Sequence, residues 1–195
     1  KDFLNLMDVY LDAVFFPAIY VNPNILKQEG WHYEIYKPED DISYKGVVYN
    51  EMKGAFSQPE SVLFRKIQEH LYPDTPYGFE SGGDPEFIPN LTQEQFLKFH
   101  KKYYHPSNSY IYIYGDGNIL EYLEFLDREY LSNFSKDEVF SEINFQTPFS
   151  EPKEFIIDYP ISKGEKEEEK SFLSLSYSVG KSTDGEICLA FDILN

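Results

Sequence analysis

The segment SYIYIYG, residues 109–115, constrains the fold more than any other stretch of this sequence. Tyrosine and isoleucine alternate along it with a period of two, which predicts a β-strand. Directly before it, LTQEQFLKFHKKYY predicts an amphipathic helix, and Thr92 and Gln95 match the capping box that begins such a helix. Both a helix and a strand must therefore be accommodated in the same domain.

Other segments predict the same mixture of elements. WHYEIY, residues 31–36, alternates like a strand, and NPNILKQEG resembles a short helix that Gly30 ends. Apolar residues at helical spacing predict four further helices. These cover residues 2–16, about 43–56, 57–71 (with Ser57 and Glu60 as a second capping box) and 119–131. The order of elements predicts an α+β fold.

The regular patterns fade after Ser132, and two prolines interrupt the chain there. We therefore predict a linker at residues 135–154, between a first domain at 1–134 and the beginning of a second at 155–195. This second part contains two predicted strands, EFIIDYPI and KSFLSLSYSVG, followed by the start of a helix. Two strands and half a helix do not close a hydrophobic core. The chain is thus expected to be a piece of a longer protein.

Charge and composition exclude some functions. The 34 acidic residues outnumber the 17 basic ones and give a formal charge of −17. Because nucleic-acid binding requires clustered Lys and Arg, this chain is not expected to bind nucleic acid. The acidic charge would attract cationic peptides, but we prefer the interpretation that it is a generic acidic surface. We also expect no membrane span, because no uninterrupted apolar stretch is long enough, and no disulfide framework, because Cys188 is the single cysteine.

Glu51, in the segment GVVYNEMKGAFSQPES, is the most unusual charged residue. In a helix, Val47 and Val48 lie one turn before it and Gly54 one turn after it, so the pattern predicts an apolar environment. A carboxylate in such a place requires a cation or a metal ion. The alternative is a helix-edge position, with an ion pair to Lys45, Lys53 or another surface cation.

No other motif indicates a catalytic or cofactor-binding site. His100 and His105 are five residues apart, which is not the spacing of a helical metal pair, and we interpret both as structural. KIQEH, residues 66–70, matches an inverted zinc motif except that lysine replaces the first ligand. SGGDP, residues 81–85, is too short and too acidic to bind phosphate. We therefore assign no catalytic and no cofactor-binding residues.

Two blocks of this sequence nevertheless resemble a known family. YKGVVYNEMKGAFSQPES and YGFESGGDPEFIPNLTQEQFLKFHKKYYHPSNSYIYIYGD are similar to the presequence-protease and falcilysin branch of the pitrilysin/insulinase-like zinc peptidases. The N-terminal helix and the segment YPI…KSFLSLSYSVGKSTD fit the same branch. The resemblance covers nearly the whole chain.

The resemblance implies a fold, a cofactor and a substrate class. The fold would be the α+β half-domain of the pitrilysin and mitochondrial-processing-peptidase type, with an antiparallel-rich sheet and helices on one face. Residues 1–134 would be the later part of the zinc domain, and 155–195 would begin a second, non-catalytic domain. Zn²⁺ would be the cofactor and Glu51 its third protein ligand. The substrates would be short unstructured peptides degraded in a closed chamber, and the remainder of the polypeptide would be the other partner.

The sequence departs from the family in one respect that decides its activity. The H-x-x-E-H motif, which supplies two zinc ligands and the general base, does not occur in it. By itself the chain is therefore expected neither to bind zinc tightly nor to cleave peptides. Two alternatives stay open, namely a non-catalytic scaffold of the same fold and a small independent binding module. The predicted compartment is the cytoplasm, with an organelle as the alternative.

Overall fold

The computed structural model describes residues 2–166 and 168–194, which form six α-helices, several single helical turns and one two-stranded sheet. The helices are α1 (Asp2–Phe15), α2 (Val47–Ala55), α3 (Pro59–Leu71), α4 (Gln93–Tyr103), α5 (Ile119–Glu129) and α6 (Gly185–Leu194). The strands are β1 (His32–Glu34) and β2 (Ser43–Lys45). The predicted mixture of helix and strand is confirmed, with less strand than the sequence indicated.

The two strands form an antiparallel hairpin. Tyr33 pairs with Tyr44 at the centre of the register, and their rings lie 5.3 Å apart. Such cross-strand aromatic pairs stabilise a ladder. The helix predicted from about residue 43 therefore begins later, because residues 43–45 pair with β1 and α2 starts at Val47.

One predicted capping box is confirmed and the other is wrong. Thr92 accepts a hydrogen bond from the backbone N–H of Gln95, whose side chain in turn accepts from the N–H of Thr92. At the second site Ser57 instead donates to the carbonyl of Gly54, at 2.6 Å. Gln58 then precedes the helix and Pro59 takes its first position, where a missing N–H costs nothing.

The chain divides into two compact units. The first contains the residues up to Lys53 and Gly82–Glu142, and the second contains Gly54–Ser81 and the residues from Ile143 onward. Within the described residues, every buried apolar side chain lies in the first unit. These side chains are Phe15, Ile19, Tyr49, Met52, Ile88, Leu126 and Tyr130.

Helices α1 and α5 are joined at the centre of the first unit. The Tyr130 hydroxyl, just after α5, lies 2.6 Å from a carboxylate oxygen of Asp8 and 2.7 Å from its carbonyl. His100 ties α4 to the end of α1, since its Nε2–H donates to the carbonyl of Val14 at 2.8 Å. Burial, and then the hydrogen bond to Asp8, raise the pKa of the Tyr130 phenol above its ordinary value.

Three predicted strands do not pair in this structure. Residues 109–115, EFIIDYPI and KSFLSLSYSVG belong to no ladder within the described part of the chain. Their side chains are largely exposed, and Leu173 is 99% exposed. A strand requires a neighbouring strand for its backbone hydrogen bonds, and these three segments find none among the residues described.

The N-terminal region corrects one expectation from the sequence. Residues Asp2–Tyr20 form a helical stretch long and apolar enough, by length and composition, to cross a membrane. One such stretch is weak evidence for a membrane span, because core helices of soluble proteins have the same properties. The expectation is thus corrected in length and mean hydropathy only, because Asp8 and Asp12 interrupt the apolar residues of this stretch, and a membrane role is not inferred.

Candidate functional site

The candidate site is built around α2, which carries Glu51. Gly46 begins this helix, because its carbonyl accepts the first helical hydrogen bond from the N–H of Asn50 at 3.0 Å. Its φ of +149° is a conformation that side chains disfavour, and a Cβ added there would lie 2.1 Å from the Gly30 carbonyl oxygen. Only glycine allows the two backbone segments to approach so closely. The N-terminal end of α2 is thereby fixed against the chain that leads into β1.

Glu51 lies on the exposed side of this helix, in contrast to the expectation that apolar residues surround it. The buried residues of α2 are Tyr49 and Met52, whereas Glu51 is exposed. Val47 and Val48, which share its side of the helix, are 55% and 37% exposed. The predicted apolar neighbours are therefore present, but nothing within the described residues covers them.

The ion pairs of the described residues do not include Glu51. Lys45, one of its proposed partners, instead lies 3.9 Å from Glu34 across the hairpin. Lys53, the other named partner, takes part in none of the ion pairs found among the described residues. The exposed position of Glu51 agrees with the helix-edge alternative, whereas the ion pair that this alternative included is not found among the described residues.

No group of three or more potential metal ligands is present among the residues described. The histidines form local hydrogen bonds instead. His32 and His70 donate to the carbonyls of Lys27 and Lys66, both at 2.6 Å. His105 accepts from the N–H of Ser107 at 3.1 Å. These contacts agree with a structural interpretation of the histidines.

The turn SGGD, residues 81–84, contacts α2 in a way that the sequence did not predict. A Cβ added at Gly82 would lie 2.4 Å from the Met52 sulfur, so the Met52 side chain occupies the space beside this glycine. Met52 is 8% exposed and directly follows Glu51 in the chain. The glycine pair itself was the available signal, because glycine in a loop often marks a close approach.

A shallow depression of about 370 Å³ lies beside α2, with Tyr44, Tyr49 and Lys53 among its lining residues. Tyr49 and Lys53 project about 160° or more around the helix from Glu51, so the depression is on a different side from the carboxylate. The neighbouring Tyr33 phenol raises the pKa of Tyr44. The depression and the carboxylate are thus two separate features of the same helix.

Comparison with known proteins identifies the class to which this fold belongs. A family model described as the peptidase M16 inactive domain matches residues 90–195, more than half of the chain. The chain therefore belongs to the M16 peptidase family. This finding confirms the predicted resemblance to pitrilysin-like peptidases of the presequence-protease branch.

Individual relatives are similar along nearly the full chain. The chain is 57% identical over 194 residues to protein HypA of Clostridium perfringens, covering 20% of that protein. It is 48% identical over 198 residues to presequence protease 1, chloroplastic/mitochondrial, of Arabidopsis thaliana, covering 18%. It is 39% identical over 188 residues to the mitochondrial presequence protease of Danio rerio, covering 18%. The chain thus spans about a fifth of the length of these relatives.

Proposed function

We propose that this chain is one part of a zinc-dependent M16 endopeptidase that degrades short unstructured peptides inside a closed chamber. Its specific contribution would be Glu51 as one of the protein ligands of the metal. The identity of up to 57% with longer relatives, two of them named presequence proteases, supports the peptidase assignment.

The position of Glu51 is the observation that carries this proposal. Its carboxylate is exposed on a helix that is fixed from other sides by Gly46 and Met52. Carboxylate oxygen is one of the ligand types that zinc accepts in proteins. The donor chemistry of Glu51 therefore fits one ligand position, and the uncovered Val47 and Val48 beside it offer an apolar surface on which the ligand-bearing segment would pack.

The remaining ligands would come from a part of the polypeptide outside this chain. The described residues form no group of three or more potential metal ligands, at Glu51 or elsewhere. A catalytic zinc site requires three protein ligands and an open position. The isolated chain is therefore expected to bind zinc weakly and to be inactive, and its own residues would hold and orient one ligand only.

The same reasoning extends to the fold and the domains. The unpaired alternating segments would pair with strands of the same polypeptide, completing an antiparallel-rich sheet with helices on one face. We retain residues 1–134 as part of the zinc domain, 135–154 as the linker and 155–195 as the beginning of the second domain. The model of the inactive domain matches from residue 90 and so overlaps the end of the first of these regions. We also retain the cytoplasm as the predicted compartment, with an organelle, which the names of several relatives mention, as the alternative.

The test is the zinc content of the full-length protein and of its Glu51→Gln variant, measured by atomic emission after exhaustive dialysis. Loss of zinc and of chelator-sensitive peptidase activity in the variant is the expected result, because the amide is a poor zinc ligand. Glu124→Gln is the matched control, since Glu124 is an exposed glutamate of α5 and the same charge is removed.

Two outcomes would contradict the proposal in different ways. A Glu51→Gln protein that keeps its full zinc content would exclude Glu51 as a ligand. A wild-type protein with neither zinc nor chelator-sensitive activity would favour the second candidate, a non-catalytic scaffold of the same fold. The absence of a ligand cluster among the described residues is the observation that keeps this scaffold in consideration.

A further inference from the structure

The turn at residues 81–84 lies against the side chain next to Glu51. The space that a Cβ of residue 82 would need is occupied by Met52, whose sulfur and Cε would lie 2.4 Å and 2.9 Å away. These atoms are the flexible end of the side chain, but Met52 is 8% exposed, so another rotamer would have to find space among packed neighbours. A larger residue at position 82 would therefore displace Met52, α2 or the turn.

The turn is held in place by the residues that follow it. The Asp84 carbonyl accepts hydrogen bonds from the N–H groups of Phe87 and Ile88, both at 2.9 Å, and the Ile88 side chain is 4% exposed. Three residues later, the Leu91 carbonyl accepts from the indole N–H of Trp31 at 3.0 Å. Because the turn is anchored in this way, a side chain at residue 82 is expected to be accommodated by movement of the Met52 side chain and of the helix that carries it.

We infer that Gly82 is a positioning residue for Glu51: the absence of a side chain at residue 82 sets the depth of Met52, and so the position of the helix that presents the carboxylate. This inference rests on the proposed function, in which Glu51 binds zinc. Adjacent positions of a helix project about 100° apart, so Met52 lies in the core while Glu51 remains exposed. A displacement of Met52 is therefore passed to Glu51 through the helix backbone.

The effect on a metal ligand is expected to be large for a small displacement. Metal ligands must be held within about 0.5 Å of their productive geometry, and residues that support ligands typically alter metal affinity by roughly 10–100-fold. Gly82→Ala in the full-length protein is therefore expected to increase the zinc dissociation constant about tenfold. The measurement is competition with a chromophoric chelator, at a temperature well below the unfolding transition of each variant.

A double-mutant cycle separates positioning from general destabilisation. Met52→Ala removes the atoms that the new methyl group would meet. In the Met52→Ala background, Gly82→Ala is therefore expected to produce no further change in zinc affinity. If Gly82→Ala weakens zinc equally in both backgrounds, or leaves zinc affinity unchanged in the wild-type background, the inference is overturned.

Gly83→Ala is the matched control in the same turn. It adds the same methyl group, but at a φ of +91° and toward Ile88, at 3.2 Å, instead of Met52. Any loss of zinc affinity caused by Gly83→Ala is expected to persist in the Met52→Ala background. If Met52→Ala restores zinc affinity equally in the Gly82→Ala and Gly83→Ala variants, the contact between Gly82 and Met52 has no special role.

The zinc affinity of Glu51→Gln, measured in parallel, distinguishes failure of the proposed function from failure of the positioning role of Gly82. If Glu51→Gln retains zinc, the proposed function fails. If Glu51→Gln loses zinc and Gly82→Ala does not, only the positioning role of Gly82 fails.

Discussion

The two units of this chain differ in how far they provide their own packing. The first unit contains all seven buried apolar side chains of the described residues, and hydrogen bonds between distant segments join its helices. In the second unit Thr75 is the single buried residue among those described. Apolar segments are present in both, so composition does not explain the contrast. What differs is how much of that apolar surface the described residues cover.

The second unit has local contacts in place of a core. The Arg65 guanidinium lies 3.4 Å from the centre of the Phe56 ring, and Gln146 donates to the Asp74 carboxylate at 2.7 Å. The Tyr159 and Phe172 rings lie 5.7 Å apart and bring the two predicted strands together at one place. Contacts between exposed groups contribute little stability, so this unit is expected to open first.

The largest expected effect comes from Gly46→Ala in the first unit. The added Cβ would lie 2.1 Å from the Gly30 carbonyl oxygen, at a φ of +149°, so both overlap and backbone strain act against it. We expect a loss of roughly 3 kcal/mol in the free energy of unfolding, measured by urea denaturation followed by circular dichroism.

Gly185→Ala in the second unit is the control for that measurement, because a Cβ there would meet nothing within 4 Å. Equal effects of the two substitutions would show that the close approach at Gly46 does not organise the first unit.

A smaller effect, with a distinctive pH dependence, is expected from Tyr130→Phe. The buried hydroxyl contacts the Asp8 carboxylate at 2.6 Å, and loss of a hydrogen bond to a charged group costs about 2 kcal/mol. Because burial raises the pKa of Tyr130, its contribution is complete below the unfolded value near pH 10 and declines as pH rises toward the folded pKa. Thermal unfolding between pH 7 and 11 measures both the loss of stability in Tyr130→Phe and its dependence on pH.

The variant is expected to lose stability less steeply than the wild type above about pH 10. Tyr112→Phe serves as the control, since Tyr112 is 84% exposed. Parallel pH profiles for wild type and Tyr130→Phe would contradict the assignment of the pKa shift to a buried phenol.

The smallest effect is expected from Leu173→Ala in the second unit. This side chain is exposed, so its truncation in the 195-residue chain is expected to change the free energy of unfolding by less than about 0.5 kcal/mol. Leu126→Ala, at a position that is 3% exposed, is expected to cost roughly 3 kcal/mol.

The same pair of substitutions in the full-length protein tests the cause of the contrast. If other strands of the polypeptide cover residue 173, Leu173→Ala becomes markedly more costly there. An unchanged small effect would mean that the segment remains exposed in the complete protein.

The sequence predicted those features that depend on neighbouring residues. The capping box of Thr92 and Gln95 involves groups three residues apart, and the structure contains both of its hydrogen bonds. The early start predicted for α2 was wrong because residues 43–45 pair with a strand about ten residues away, which helical periodicity does not register. The contact between Met52 and Gly82 joins residues 30 positions apart, and the glycine pair indicates a close approach without identifying the partner.

The environment of Glu51 was predicted only in part, for a related reason. Periodicity correctly grouped Val47, Val48 and the carboxylate on one side of a helix, but it did not reveal whether anything covers that side. The structure leaves it open within the described residues. Its role as a zinc ligand remains a prediction that the experiments above would test.

The segment at residues 109–115, which pairs with no strand in the described part of the chain, has a consequence for how the isolated chain behaves in solution. Directly after a helix with a complete capping box, it presents Tyr110, Tyr112 and Tyr114 to solvent, with no charge between Ser109 and Gly115. Uncharged, aromatic β-segments of this kind associate readily with one another. This stretch is therefore expected to promote association of the isolated 195-residue chain, so its unfolding is best measured at low protein concentration.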